Sequence, residues 1–235
     1  IAGAAMIGGI SYFHKFAFDL LAHNERIMAN TFDIAIDKFK EKKLKRIIVI
    51  SSSMVFENVD VWPTAESSIK NTPSPSSTYG FQKLACEYFA RGAWEQYSLP
   101  YTIVRPFNCI GIGEEEALGK HEFLSENVKL ALSHVVPDLI NKCLLGQDPL
   151  HILGSGKQIR HFTNGKDIAR AIRICLESDK AINEDFNIST SVSTSILALA
   201  KLIWAKINPE KPFQCVSDTP FEYDVEKRIP SVEKA

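Results

Sequence analysis

Two kinds of apolar pattern alternate along the first half of the chain. Arg46-Ile47-Ile48-Val49-Ile50 and Tyr101-Thr102-Ile103-Val104-Arg105 are short, continuous and rich in β-branched residues. Such runs predict strands buried on both faces, as in a parallel sheet. Residues 18–43 carry helix formers throughout, with Phe18, Leu21, Ile27, Ile34 and Phe39 among the apolar positions, and residues 79–97 form a second helical stretch that stops before Pro100. The glycine-bearing start, residues 1–10, reads as the end of a buried strand entering a turn at Gly8-Gly9. Residues 57–78 are rich in Pro, Ser, Thr and Asn and predict a loop, after which Ser76 or Ser77 can cap the next helix. Strand tail, helix, strand, helix, strand is the βα repeat of a doubly wound parallel sheet.

The texture changes after Gly113. Glu114-Glu115-Glu116 opens a polar connection. Helices are predicted over residues 134–145, 167–178 and 194–207, strands over 151–153 and 186–188, and a turn at Gly154-Ser155-Gly156. The expected fold class is α/β: the C-terminal half of a Rossmann-like doubly wound parallel sheet plus a small α+β substrate domain. Residues 1–112 form the partial nucleotide-binding unit. Residues 113–235 are mainly the substrate unit, with the strand near 186–188 returning to the sheet.

Composition narrows the class. With 45% hydrophobic and 23% charged residues over 235 positions, the chain suits a globular protein with a sizeable core. A net charge of -1 offers no global field for nucleic acid or an anionic membrane. The lysines of residues 38–45 fit a solvated helix end. No apolar run reaches the ~20 residues of a membrane span. Cys86, Cys109, Cys143, Cys175 and Cys215 are widely spaced and suggest reduced, buried thiols in a cytoplasmic protein. The six histidines have no ligand spacing, so no metal is expected. Residues 113–120 have the wrong spacing for a triphosphate loop and no Ser or Thr after the lysine.

The chemistry centres on Tyr79 and Lys83, four residues apart at a helix start and hence on one face. A free tyrosine has a pKa of about 10, so only about 0.1% is ionised at pH 7, and lowering that pKa by ~3 units takes roughly 4 kcal/mol. A lysine one turn away and a cationic cofactor supply that kind of stabilisation. Chance Tyr-x-x-x-Lys matches are common, so the context decides. Ser51-Ser52-Ser53 and Asn108 follow predicted strands, and in open α/β sheets ligands bind beyond the strands' carboxyl ends.

The ordered set of motifs resembles the extended short-chain dehydrogenase/reductase family, specifically its NAD-dependent nucleotide-sugar epimerases and dehydratases. The motifs are Ile1-Ala2-Gly3 with Gly8-Gly9, Ser51-Ser52-Ser53-Met54-Val55-Phe56, Tyr79-Gly80-x-x-Lys83 and Arg105-Pro106-Phe107-Asn108-x-x-Gly111. Gly154-x-Gly156-x-x-x-Arg160-x-Phe162-Thr163, Asp167-Ile168-Ala169, Phe186-Asn187-Ile188 and Arg228-x-Pro230 complete the series.

The resemblance implies that Tyr79 is the acid/base, that Lys83 binds the nicotinamide ribose, and that Ser52, rather than Ser51 or Ser53, orients the substrate oxygen. Ala2, Gly3, Asn24, Ser51, Tyr79, Lys83 and Pro106 would line NAD, with NADP left open. Asn108, Arg160 and Arg228 would hold the substrate diphosphate. A surface ion pair is the alternative for Arg160, and a phosphate role for Arg228 is equally open. Arg105, at the end of a buried strand, reads as structural.

Departures from the family pattern are informative. Dehydratases carry Asp-Glu where Ser53-Met54 stand, and the 3,5-epimerases and GDP-fucose synthases carry cysteine at Met54; a thioether transfers no proton. Phe56 and His161 stand where tyrosine and aspartate are usual. The favoured reading is a 4-epimerase acting by transient C4 oxidation and hydride return. A reductase or 4,6-dehydratase of the family, or a non-catalytic binding relative, is the alternative. The resemblance also implies a homodimer built on helices 18–43 and 77–97. The family's Gly-x-x-Gly-x-x-Gly turn is not in the sequence, so the chain is expected to be the catalytic part of a longer reading frame, inactive alone.

Overall fold

The computed structural model describes residues 1–7, 15–112, 134–220 and 225–235. The turn at Gly8-Gly9, the polar connection after Gly113 and the run over 113–120 lie outside the described residues. The element order begins α1 (Ala17–Lys40), β1 (Ile47–Ile50), α2 (Thr78–Tyr97), β2 (Tyr101–Pro106) and β3 (Cys109–Ile110). It continues α3 (Val135–Leu144), β4 (Leu150–Leu153), β5 (Ile159–Arg160), β6 (Thr163–Asn164), α4 (Gly165–Glu177) and β7 (Glu184–Ile188). It closes with β8 (Thr194–Ser195), α5 (Ile196–Ile207) and β9 (Cys215–Asp218).

The central sheet runs β1-β2-β7, parallel throughout, with Ile47 opposite Tyr101 and Val104 opposite Phe186. Ala2 adds a parallel bridge on the far side of β1: its N–H donates to Ile48 O at 2.7 Å and its carbonyl accepts from Ile50 N at 3.1 Å. The strand tail expected at the start of the chain therefore lies beside β1.

Strand side chains alternate between the two faces. Ile47, Val49 and Ile103 pack with Met28, Phe32 and Ala35 of α1 and Cys86, Ala90 and Ala93 of α2. Ile48 and Val104 face the other way, onto Ile168 and Cys175 of α4 and Ile188. Helices thus cover both faces, as the unbroken apolar strands require. Helix α4 returns to the sheet together with the strand near 186–188, because the second apolar face also needs a cover. The remaining unit packs α3, β4 and α5 around Leu139, Leu150, Ile152, Ala200 and Trp204.

Two differences from the sequence reading concern short features. The 57–78 stretch is not wholly irregular: a 3-10 turn occupies Glu66–Lys70, and another, Ser53–Phe56, precedes the stretch. The strand expected over 151–153 is present as β4, but the pairings β3/β6, β4/β9 and β5/β8 do not follow from the sequence pattern, since pieces as short as two residues carry no readable period. Among the cysteines, Cys86, Cys143 and Cys175 are buried as expected, but Cys109 and Cys215 are exposed. Both sit on short edge ladders that leave a side chain toward solvent.

Candidate active site

The end of β1 and the start of α2 meet through a chain of polar contacts. Ser77 is the N-cap of α2: its Oγ accepts from Gly80 N at 3.0 Å. Glu57 fixes Ser77 in turn, its Oε2 accepting from Ser77 N at 2.9 Å and from Ser77 Oγ at 3.0 Å. A carboxylate against a helix N-terminus also suits the macrodipole. Gly80 lets the helix start approach the preceding turn. A Cβ there would lie 2.6 Å from Pro75 Cβ and 2.8 Å from Met54 O, so any larger residue would push Tyr79 away from the serine turn.

At that start, Tyr79 is half-buried and Lys83 is 7% exposed. Lys83 Nζ lies 6.0 Å from the centroid of the Tyr79 ring and donates to Ile50 O, the last carbonyl of β1, at 3.1 Å. Ser52, two residues further on, caps the following 3-10 turn by accepting from Met54 N at 3.2 Å. Ser51 donates instead to Glu87 Oε1 at 2.7 Å. The structure therefore brings Ser51, Ser52, Tyr79 and Lys83 to one strand end.

Glu87 and Arg105 are the residues that motif reading passed over, Glu87 entirely and Arg105 as merely structural. Both side chains are 0% exposed. Arg105 Nε donates to Glu87 Oε1 at 2.7 Å and Nη2 to Oε2 at 2.8 Å, a bidentate pair. Arg105 Nη2 also meets Asp185 Oδ2 at 2.7 Å, and Lys234 Nζ reaches Asp185 Oδ1 at 3.0 Å. Burial works against the Arg105 charge, yet Glu87 and Asp185 hold its pKa above the ordinary arginine value. Burial likewise opposes the Asp185 carboxylate, but Arg105 and Lys234 keep its pKa below the ordinary value. One signal for Glu87 was available: it stands four residues after Lys83, on the face that carries Tyr79. Between them, burial pushes the Cys86 thiol up to about 11, which leaves it a poor nucleophile.

The substrate-side candidates assemble from the short ladders. Asn108 follows β2 with φ +38°, its carbonyl accepts from Thr163 N at 3.0 Å, and its buried Oδ1 has no hydrogen-bond partner among the described residues. Residues 226–228 run beside β5: Ile159 N donates to Glu226 O at 2.8 Å and Arg228 N to Ile159 O at 3.2 Å. Arg160 and Arg228 are thus held on adjacent segments. Arg160 is 7% exposed, with Nη1 donating to the carbonyls of Ile159 at 2.9 Å and Glu226 at 3.3 Å. A cavity of about 290 Å³ joins this strap to the helix start, with Glu57, Asn58 and Ser76 on one side and Glu226 and Lys227 on the other.

Three further candidates have plain positions. Ala2 and Gly3 lie on the strand tail beside β1, and Pro106 ends β2 opposite Ile188. Asn24 is buried and grips the Met6 backbone, Oδ1 accepting from Met6 N at 2.6 Å and Nδ2 donating to Met6 O at 2.9 Å. It braces the segment after the strand tail. His161 is buried, with Nδ1 2.8 Å from Thr190 O and Nε2 2.8 Å from Ser193 Oγ, and it ties down the loop after β7.

A parallel sheet covered on both faces, with its polar side chains gathered at the strands' carboxyl ends, defines a Rossmann-like α/β protein. The chain belongs to the NAD dependent epimerase/dehydratase family, whose model matches residues 1–189. It is 28% identical over 168 residues to human dTDP-D-glucose 4,6-dehydratase, covering 72% of this chain and 42% of that protein. It is also 28% identical over 172 residues to GDP-L-fucose synthase of Dictyostelium discoideum, covering 71% of this chain and 49% of that one. The chain thus spans about half the length of these curated relatives. Among solved structures it resembles UDP-glucose 4-epimerase of Thermotoga maritima with UDP-glucose, at a TM-score of 0.78 and 26% identity. That match covers 99% of this chain and 67% of the epimerase. Among the described residues no helix is long and apolar enough to cross a membrane.

Proposed function

We propose that the protein is a nucleotide-sugar 4-epimerase that works with NAD. The observation that carries this reading is the pairing of Lys83 with Tyr79 at a helix start that Gly80 allows to close onto the Ser51–Ser52 strand end. Lys83 fits a cofactor ribose: its ammonium is buried, one of its three hydrogens goes to Ile50 O, and the ribose hydroxyls are acceptors for the others. Ser51, Pro106, Ala2 and Gly3 would line the same cofactor, with Asn24 fixing the segment that follows the strand tail. When bound, NAD supplies a reversible hydride acceptor.

In this reading Tyr79 takes the proton of the sugar 4-hydroxyl and later gives it back, and Ser52 Oγ orients that oxygen. Lys83 stabilises the phenolate through its charge. Asn108 presents a buried acceptor to the substrate, and Arg160 with Arg228 binds the diphosphate. Met54 favours epimerisation over elimination: it is buried in the turn beside Ser52, and its thioether has no proton to move.

The intact protein, supplied with NAD and a panel of UDP-, dTDP- and GDP-sugars, should interconvert one C4-epimer pair without net reduction of the cofactor. Tyr79→Phe should lower kcat by about 10²–10⁴-fold while leaving thermal unfolding unchanged. Loss of water from the sugar, or net consumption of a reduced cofactor, would move the protein to the dehydratase or reductase class. Function that survives Tyr79→Phe would favour the non-catalytic relative.

The homodimer belongs to the same proposal. An open apolar groove of about 750 Å³ runs along α1 and α2, lined by Phe32, Ile36, Phe81, Leu84, Tyr88 and Phe89. Tyr88 is 65% exposed and Phe81 48% exposed, and a second copy of the chain is the fitting cover. Sedimentation should give a dimer that Tyr88→Glu dissociates.

A further inference from the structure

We infer that Glu87 and Arg105 are positioning residues that set the register of the Tyr79/Lys83 helix against the serine-bearing end of β1. The inference rests on the reading above for its functional meaning, but its geometry stands alone. Tyr79, Lys83 and Glu87 recur every four residues on one face of α2. Two of them grip consecutive residues of the strand end: Lys83 donates to Ile50 O at 3.1 Å, and Glu87 accepts from Ser51 Oγ at 2.7 Å. Ser52 is the next residue. A slide of α2 along the strand would break both contacts together.

The pair is built to hold that register. Glu87 is an acceptor only, and four donors converge on it: Ser51 Oγ, Arg105 Nε, Arg105 Nη2 and Arg91 Nη2. Because Glu87 cannot donate, the Ser51 hydroxyl hydrogen must point at it, which leaves the Ser51 lone pairs facing other groups. Arg105 stands on β2, so its planar fork fixes Glu87 against the second strand of the sheet. A buried ion pair is weak evidence for stability, since apolar replacements of similar volume often fold as well. What apolar residues cannot supply is the direction of the Ser51 hydrogen and the fixed distance from α2 to the strand end.

The test uses Glu87→Leu combined with Arg105→Met. The double variant should unfold at nearly the parental temperature. Amide hydrogen exchange over residues 51–54 should nevertheless quicken roughly tenfold in the ligand-free chain. In the NAD-loaded intact protein, kcat should fall about a hundredfold with KM little changed, the signature of a misplaced reacting group.

A double variant that folds, exchanges and turns over like the parent would overturn the inference. If the double variant does not fold, Ser51→Ala decides, because it keeps the ion pair and cuts its link to the strand. Faster exchange over residues 51–54 at an unchanged unfolding temperature supports positioning; parental exchange refutes it. An intact protein that turns over no sugar nucleotide would refute the proposed function, and the exchange result would still judge the positioning role.

Discussion

At the carboxyl end of β1, polar side chains are set by long elements. The 20-residue α2 and the parallel pair β1/β2 hold Lys83, Glu87, Ser51 and Arg105 through contacts of 2.7–3.1 Å. Around Arg160, the supports are two-residue ladders and one strap, residues 226–228, lying along β5. Asn108 sits between the regions in a left-handed conformation with a buried acceptor unpaired among the described residues. The difference follows the proposed chemistry. Proton transfer needs near-fixed geometry, and a 1 Å error can cost about a hundredfold. A diphosphate is recognised by charge over several oxygens, so its site tolerates shorter supports.

Perturbing each region should separate the two. Glu87→Leu alone takes the bidentate partner from the buried Arg105, leaves it Asp185, and should cost about 1.5–3 kcal/mol in denaturant unfolding. Arg160→Ala should spare folding and weaken substrate binding by about 1.5–3 kcal/mol, read as a rise in KM with kcat nearly constant. Gly80→Ala forces a Cβ against backbone and should cost about 1–3 kcal/mol, with a matching fall in kcat as Tyr79 shifts.

Acid should act last and least. The Asp185 pKa is depressed in the folded state, so its contribution is complete above about pH 4 and is lost as pH falls through the lowered value. Lys234→Met should flatten that acid loss, measured as the unfolding midpoint between about pH 6 and about pH 3.

The parallel sheet was legible because buried strands leave unbroken β-branched runs and Ser77 carries a recognisable cap chemistry. Tyr79, Lys83 and Ser52 were legible through ordered spacing. The β5/β8 and β3/β6 ladders were not, because pairing of Ile159 with Ser195 or Cys109 with Thr163 is decided by partners far along the chain. Glu87 was hidden for the opposite reason. A glutamate in a helix normally means a solvated face, and only the arrival of Arg105 and Ser51 turns that position inward. His161 was noticed as a departure, but its role needed the Thr190 carbonyl and Ser193 hydroxyl, brought to it by the turn after β7.

The Arg105 cluster also implies an order of assembly. Glu87 precedes Arg105 by 18 residues, so the guanidinium leaves the ribosome with its first counter-charge already made. A βαβ crossover can then close around a neutralised pair while the rest of the chain is still being synthesised. Asp185 and Lys234 join from much later positions, with Lys234 bridging to both Glu184 and Asp185. Glu87 and Lys234 are therefore wired to the same charge cluster through Arg105 and Asp185. A change at residue 87 should slow folding, whereas a change at residue 234 should chiefly hasten unfolding.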